Sequence, residues 1–176
     1  MLSSYITKIR KKMGHDFILL PSVTILVFDN ANRVLLVRHV NNNVWVAPGG
    51  MIEPDESPEA AAIREMEEET GCKVSLTNIL GVYGGPEFRV QYQNGDRVGY
   101  VMIVYKAEII SGSIKPDGRE IHEIQFFSFE DTKALTKGTW LDSVLNDVFI
   151  KISDSYDQID YLSNRIPPMI KPNPII

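Results

Sequence analysis

The chain has 176 residues, of which 44% are hydrophobic and 23% charged, a composition typical of a globular protein. Acidic residues outnumber basic ones by 23 to 18, so no global positive field attracts duplex DNA. The single cysteine, Cys72, excludes a disulfide framework and a cysteine-based zinc site. No apolar run reaches the roughly 18 residues of a membrane span, and segment 17–28 lacks a signal-peptide cleavage site. We therefore expect a cytoplasmic protein with no membrane partner.

An amphipathic helix is predicted at the N-terminus. Apolar residues recur at helical spacing between residues 2 and 13, four basic residues lie among them, and Gly14 follows as a stop signal. Such a helix packs on its own domain or a second subunit, or docks on a membrane or another partner through its basic side. Four basic residues are few for surface binding, which favours packing.

Most of the chain has the pattern of short strands. Extended segments are predicted at 23–28, 34–37, 44–47, 73–82, 88–92, 98–109 and 124–129. The polar turn at 29–32 predicts that the first two segments form a hairpin, and the Asn-Gly-Asp sequence at 94–96 predicts a hairpin between the fifth and sixth.

The most clearly marked helix is predicted over 57–70, where alanine and glutamate dominate. Ser57 is its predicted N-cap, Pro58 its first helical residue and Gly71 its C-terminal cap.

Two further helices are predicted at 130–135 and 140–152, and the prolines beyond residue 166 exclude regular helix or central strand there. Strands outnumber helices, which favours an α+β domain with helices on the faces of a mixed sheet. The chain divides into an N-terminal helix, a main domain and a proline-containing tail, at 1–14, 15–152 and 153–176.

Three carboxylates share one side of the predicted helix 57–70. Glu65, Glu68 and Glu69 fall within an arc of roughly 100° on a helical wheel. Like charges at this spacing repel each other and weaken a helix, so something must offset them. Solvent is the common answer, and a divalent cation is the specific one, because Mg²⁺ prefers oxygen ligands.

Two neighbouring features favour the cation. The Pro-Gly-Gly sequence at 48–50 lets the backbone approach a ligand closely and aim a carbonyl at a metal. Arg64 precedes the first of the three glutamates and pairs with either Glu68 or Glu56, which would hold a carboxylate in a fixed orientation.

The segment 50–72 carries a recognisable motif. It contains Gly50, five residues, Glu56, seven residues, and then Arg64, Glu65, Met66, Glu67, Glu68, Glu69, Thr70, Gly71 and Cys72. This pattern resembles the complete Nudix box, and seven fixed identities would match by accident on the order of 10⁻⁹ per starting position. The order of strands and helices resembles the α/β/α sandwich of that family over roughly residues 15 to 150.

The resemblance implies hydrolysis of a nucleoside diphosphate linked to another group, dependent on Mg²⁺ or Mn²⁺. Glu68 and Glu69 would be metal ligands, and Glu65 a ligand or the carboxylate that orients the attacking water. The Gly49 carbonyl would complete the metal shell, and Arg64 would hold the loop. Phosphoryl transfer to water needs charge neutralisation and a positioned nucleophile, which such a site supplies.

The family usually draws a further carboxylate from a loop beyond the box. Glu120 and Glu123 are the candidates, with Glu120 preferred for a mobile catalytic role and Glu123 for a structural or metal-side role. His122 lies between them and is either a base near neutral pH or a surface residue, which is the commoner case.

Substrate selection would lie largely outside the box. Arg38 is a candidate phosphate contact or a surface arginine, and Trp45 stacks on a base or belongs to the core. The segment 84–88, which contains Pro86, resembles a proline-bearing segment of ADP-ribose-cleaving members. Gly50 and Arg89 complete the predicted substrate-binding set.

Three functions remain open from the sequence. The leading one is pyrophosphohydrolysis of a small nucleotide such as ADP-ribose, a nucleotide sugar or a (d)NTP. The second is hydrolysis at an RNA 5′ end, which the acidic composition disfavours. The third is a non-catalytic nucleotide-binding module. A homodimer is also expected, built through the N-terminal helix and the tail.

Overall fold

The computed structural model describes residues 4–41 and 43–163, the last twelve of them as backbone only. That part of the chain holds four helices: α1 (Ser4–Met13), α2 (Pro58–Thr70), α3 (Phe129–Thr136) and α4 (Trp140–Ser163). Its strands are β1 (Ile18–Val27), β2 (Val34–His39), β3 (Trp45–Val46), β4 (Gly49–Met51), β5 (Cys72–Tyr83), β6 (Arg89–Gln91), β7 (Arg97–Gly112) and β8 (Ile121–Phe127).

The strands form two sheets. The larger has the order β4-β1-β7-β5, and β6 also pairs with β7. Strands β1 and β7 run parallel, whereas the other pairs in this sheet are antiparallel. The smaller sheet is antiparallel, in the order β3-β2-β8. This mixed arrangement confirms the expected α+β fold.

Helices cover both sides of the sheets, because alternate residues of β1 point to opposite faces. Ile25 belongs to a core cluster with residues of α2, and its neighbour Leu26 belongs to a second cluster with residues of α4. Both side chains are fully buried. The result is a three-layer α/β/α sandwich with α2 and α4 as its outer layers.

The N-terminal helix packs on its own domain. Ile6 of α1 is buried in a third cluster with Ile18, Leu20 and Val98 of the large sheet. The backbone N–H of Gly14 bonds to the Arg10 carbonyl, and Gly14 has a positive φ of 58°, so the helix ends there as predicted.

The caps predicted for α2 are confirmed. The Ser57 side chain accepts from the backbone N–H of Ala60, Pro58 is the first helical residue, and Gly71 has the left-handed φ of 70°. The hairpin between β6 and β7 is also confirmed, with Arg89 opposite Gly99 and Gln91 opposite Arg97.

The predicted hairpin between 23–28 and 34–37 is wrong. Phe28 and Val34 form a single isolated bridge, after which the two strands enter different sheets. Strand β1 pairs with β7 on one edge and with β4 on the other, whereas β2 pairs with β3 and β8. The turn between the strands is nevertheless well defined, because the Asp29 carboxylate accepts from two backbone N–H groups.

Three element boundaries differ from the sequence-based expectation. The glycines at 49–50 belong to strand β4, which pairs with residues 22–24 of β1, and β1 itself starts earlier than predicted, at Ile18. Strand β8 starts at Ile121, which places Glu123 on a strand and not in the loop before it. Helix α4 continues to Ser163, past the predicted end at residue 152. The proline-rich part of the predicted tail, 164–176, lies outside the described residues.

Across residues 4–41 and 43–163, none of the helices combines the length and the apolar character that a bilayer crossing requires.

Candidate active site

Helix α2 lies against the edge strand β4, where Gly50 faces the helix and Gly49 faces the neighbouring strand β1. A Cβ on Gly50 would collide with the carboxylate of Glu65, and a Cβ on Gly49 would collide with the carbonyl oxygen of Val23. The backbone N–H of Gly49 donates to the Glu69 carboxylate at 3.1 Å. The Pro-Gly-Gly sequence therefore brings backbone and box carboxylates into direct contact.

Arg64 is the cation at the centre of this contact, and all five of its N–H groups are used. Two of them bind both oxygens of Glu56, at 2.8 and 2.9 Å, and Nη2 also donates to the Met51 carbonyl at 3.1 Å. Nη1 donates to Glu65 at 2.8 Å and to Glu68 at 3.2 Å. Both pairings expected from the sequence are present. Arg64 thus fastens the loop before α2 to the helix and has no donor to spare.

Three carboxylates pair with Arg64, those of Glu56, Glu65 and Glu68, and their environments differ. Hydrogen bonds from Arg64 lower the pKa of Glu56 below the usual range. Burial raises the pKa of Glu65, although the hydrogen bond from Arg64 acts in the opposite direction. Glu68 is the most exposed of the three, with 60% of its side chain accessible.

Glu69 is the most deeply buried of the predicted ligands, at 6% exposure. Burial raises its pKa to about 8, and the charges of Glu65, Asp117 and Glu68 add to the rise. The Gly49 N–H bond opposes it only in part. A carboxylate held in this way is costly to ionise unless positive charge arrives.

These residues fit a hard divalent cation. The donors are all oxygens, several carboxylates share one guanidinium, and the buried Glu69 is short of positive charge. In the described ranges no three acidic, histidine or cysteine side chains are already grouped at ligand spacing. Arg64 draws Glu65 and Glu68 towards itself, so metal binding requires these side chains to be shared or to move.

The two downstream carboxylates occupy different environments. Glu123 lies on β8 directly opposite Arg38 of β2, and the two form an ion pair at 3.1 Å. The Arg38 guanidinium also lies 5.7 Å from the centre of the Trp45 ring. Glu120 is exposed in the turn before β8, and its carbonyl accepts from the backbone N–H of Val40 at 2.9 Å.

Asp117 is a site residue that the sequence reasoning missed. One of its carboxylate oxygens accepts from the backbone N–H groups of Arg119, Glu120 and Ile121, at 3.1, 3.1 and 2.8 Å. The same carboxylate is close enough to raise the pKa of Glu69. The available signal was the Asp-Gly sequence at 117–118, which indicates a turn but not its position beside α2.

The family model of the NUDIX domain matches residues 19–148 of this chain. The chain belongs to the Nudix family. It is therefore a Nudix hydrolase, as the box at 50–72 indicated.

Relatives of this Nudix hydrolase are named for different activities. It is 31% identical over 138 residues to an ADP-ribose pyrophosphatase of Methanocaldococcus jannaschii, a match covering 76% of this chain and 77% of the relative. It is also 31% identical over 104 residues to a putative 8-oxo-dGTP diphosphatase of Bacillus subtilis, covering 59% and 63% of the two chains. An RNA pyrophosphohydrolase of Pseudomonas putida is 40% identical over 65 residues, which cover 37% and 41%.

Solved structures support the Nudix fold. The crystal structure of a UDP-X diphosphatase has a TM-score of 0.63 at 24% identity and covers 86% of this chain and 73% of its own. The MutT protein from Methanosarcina mazei has a TM-score of 0.62 at 22% identity, covering 76% and 94%.

Two predicted substrate residues of this Nudix hydrolase lie away from the box. Pro86 begins a short 3-10 turn that leads into β6. Arg89 pairs with Gly99 on β7, and its guanidinium lies 5.3 Å from the centre of the Phe17 ring. Strand β6 is three strand spacings from β4, roughly 14 Å across the sheet. Within one protomer the structure does not bring Arg89 to the carboxylates of α2.

Proposed function

We propose that this Nudix hydrolase cleaves the diphosphate of a small nucleotide, such as ADP-ribose, a nucleotide sugar or a (d)NTP, with Mg²⁺ or Mn²⁺ as cofactor. The products would be a nucleoside monophosphate and a phosphorylated compound or pyrophosphate. The observation that carries the proposal is the buried Glu69 beside Glu65, at the point where Gly49 meets α2.

The metal would be held by Glu65, Glu68 and Glu69 together with the Gly49 carbonyl. A bound divalent cation neutralises charge on the non-bridging phosphate oxygens and makes water a better nucleophile. Arg64 keeps Glu56 and Glu65 in place and does so without contacting the substrate, because its N–H groups are already used.

The remaining residues of the proposed site act on water and substrate. Glu120 lies on an exposed turn and is proposed as the mobile carboxylate that approaches the attacking water, a task that Glu65 would otherwise perform. Glu123 is assigned the structural role, because it pairs with Arg38. The half-exposed Arg38 would release this partner to bind a phosphate, and Gly50 allows the substrate to approach the backbone.

A nucleotide panel tests the proposal. The purified enzyme is incubated with ADP-ribose, nucleotide sugars, (d)NTPs and 5′-triphosphorylated RNA, with Mg²⁺ and with EDTA, and the products are identified by mass spectrometry. We expect Mg²⁺-dependent release of a nucleoside monophosphate. ADP-ribose is the first substrate to test, because the relative with that activity matches over 77% of its length.

Other outcomes of the panel would support the alternatives. Cleavage confined to the RNA 5′ end would favour the second function, RNA pyrophosphohydrolysis. The relative with that name matches this chain over only 65 residues. Nucleotide binding without product from any substrate would favour the non-catalytic module.

A homodimer in the cytoplasm remains part of the proposal. Because α1 packs on its own sheet, a second subunit that used this helix would meet its outer side, where Tyr5 and Met13 are exposed. A monomer mass by light scattering would contradict the dimer.

A further inference from the structure

His39 ends strand β2 on the side that faces α2. Leu35 and Val37 are fully buried, and Leu35 belongs to the cluster formed with α2. Arg38 pairs with Glu123 and the next residue, His39, pairs with Ile121. The residue between these two partners, His122, is therefore the extra one, and it lies on β8. Alternation along β2 is therefore undisturbed, and His39 points to the same face as Leu35 and Val37. Its side chain is half-buried there.

The loop before β8 connects His39 with the end of α2. At one end of this loop, the backbone N–H of Lys115 donates to the carbonyl of Thr70, the last residue of α2, at 2.9 Å. At the other end, Asp117 accepts from the N–H of Ile121, which is the cross-strand partner of His39. The Asp117 charge acts on the pKa of both His39 and Glu69. Asp117 thus lies within electrostatic reach of both His39 and the buried Glu69 of the proposed site.

A diphosphate needs hydrogen-bond donors as well as a metal. Arg64 has none to spare, and Arg38 lies on the opposite face of the small sheet, where it contacts Glu123 and Trp45 and would reach a phosphate only from that side. Burial lowers the pKa of His39, so near neutral pH its ring is uncharged, with one N–H donor and one acceptor nitrogen.

We infer that His39 binds the substrate directly, by donating a ring N–H to a diphosphate oxygen on the side of the site opposite α2. This inference rests on the proposed function and assigns one substrate-contacting residue within it. Asp117 is the positioning residue of the loop, since its hydrogen bonds form the turn that pairs with His39.

The test measures diphosphate binding apart from turnover. Methylenediphosphonate, a pyrophosphate analogue with a non-hydrolysable bridge, is titrated calorimetrically into the enzyme with Mg²⁺. We expect His39→Ala to weaken binding by about 10- to 100-fold, as for loss of a hydrogen bond to a charged group. We expect His39→Gln to stay within about threefold of wild type, because its amide also donates.

His122→Ala is the matched control, because His122 is the exposed extra residue on β8 and should leave the affinity unchanged. Mn²⁺ alone should bind wild type and all three variants equally. The inference is overturned if His39→Ala binds the diphosphonate as well as wild type does. It is also overturned if His39→Ala loses Mn²⁺ affinity, which would mean that His39 supports the metal ligands.

Failure of the proposed function would give a different result. In that case wild-type enzyme would bind neither Mn²⁺ nor the diphosphonate and would leave the nucleotide panel intact, which refutes both proposals. Wild type that binds Mn²⁺ but not the diphosphonate refutes the assignment of His39 alone. Circular dichroism of each variant confirms folding before the titrations.

Discussion

Acidic side chains gather in two regions of the site, on helix α2 and in the segment 113–123, and they are satisfied differently. On α2, Glu65 and Glu68 share the Arg64 guanidinium with Glu56, while the buried Glu69 accepts from the Gly49 N–H. Negative charge there exceeds what the neighbouring cation balances.

In the second region the carboxylates already have their own partners. Asp117 accepts from three backbone N–H groups, and Glu123 pairs with Arg38. The difference teaches where positive charge is needed. A divalent cation would stabilise the crowded carboxylates of α2, as proposed above, whereas the second region needs it much less.

The largest effect is expected for Glu69→Gln. The amide keeps the hydrogen bond from Gly49 but lacks the charge that holds a metal, so Mg²⁺-dependent turnover should fall by about 10³-fold or more. Turnover is measured by product release in the nucleotide panel. The folded state should remain intact, because an uncharged side chain at this buried position removes a cost. Wild-type turnover would contradict our assignment of the ligands.

A smaller loss is expected for Arg64→Lys. Lysine keeps the positive charge but cannot make five hydrogen bonds in a fixed plane, so the loop at Glu56 should loosen. We expect a loss of about 2 kcal/mol in the free energy of unfolding and of about 10- to 100-fold in kcat. Urea denaturation and steady-state kinetics measure the two. Unchanged values would show that Arg64 is replaceable by any cation.

The pH dependence of stability distinguishes Glu69 from the downstream acids. Below about pH 4.5 Glu69 is protonated in both the folded and the unfolded protein. Between there and pH 8 the unfolded chain loses this proton while the folded protein keeps it, because burial raises the pKa to about 8. In metal-free enzyme this carboxyl therefore lowers the free energy of unfolding as pH rises, and its contribution is fully lost above pH 8.

The contribution of Glu69 is the difference in the free energy of unfolding between metal-free wild type and Glu69→Gln. Other groups, such as Glu56, titrate in both proteins and cancel in this difference. Denaturation curves in EDTA at several pH values supply it. A difference that does not change between pH 4.5 and 8 would show that Glu69 is not buried as described.

The smallest effect is expected for Glu123→Gln. This change removes an ion pair with the half-exposed Arg38, and such pairs contribute only about 0 to 1 kcal/mol. We expect kcat/KM to stay within about threefold of wild type. A loss comparable with that of Glu69→Gln would place Glu123 among the metal ligands and remove the contrast between the two regions.

Local signals explain which parts of this molecule could be predicted from its sequence. The ends of α2 are determined by the two residues that flank it, Ser57 and Gly71. The pairing of Arg64 with Glu56 and Glu68 follows from their short spacing in the sequence. These features depend on residues that are near one another in the chain.

Long-range pairing explains what could not be predicted. The strands on either side of the turn 29–32 have the pattern of a hairpin. Instead, β1 pairs with β7 and β2 pairs with β8, and both partners lie far along the chain. Asp117 comes within electrostatic reach of His39 only because β8 pairs with β2, and no local spacing indicates this. The surroundings of Arg89 were not predictable either, since nothing near it in the sequence indicates that it packs over Phe17, and its substrate role stays a prediction.

Manganese binding tests the central claim most directly. Mn²⁺ is titrated into wild type, Glu69→Gln and Glu123→Gln and followed by electron paramagnetic resonance of the free ion at pH 8. We predict saturable binding by wild type and Glu123→Gln and a strong loss of affinity in Glu69→Gln. Equal affinity in all three proteins, or none in wild type, would contradict the claim that the carboxylates of α2 hold the metal.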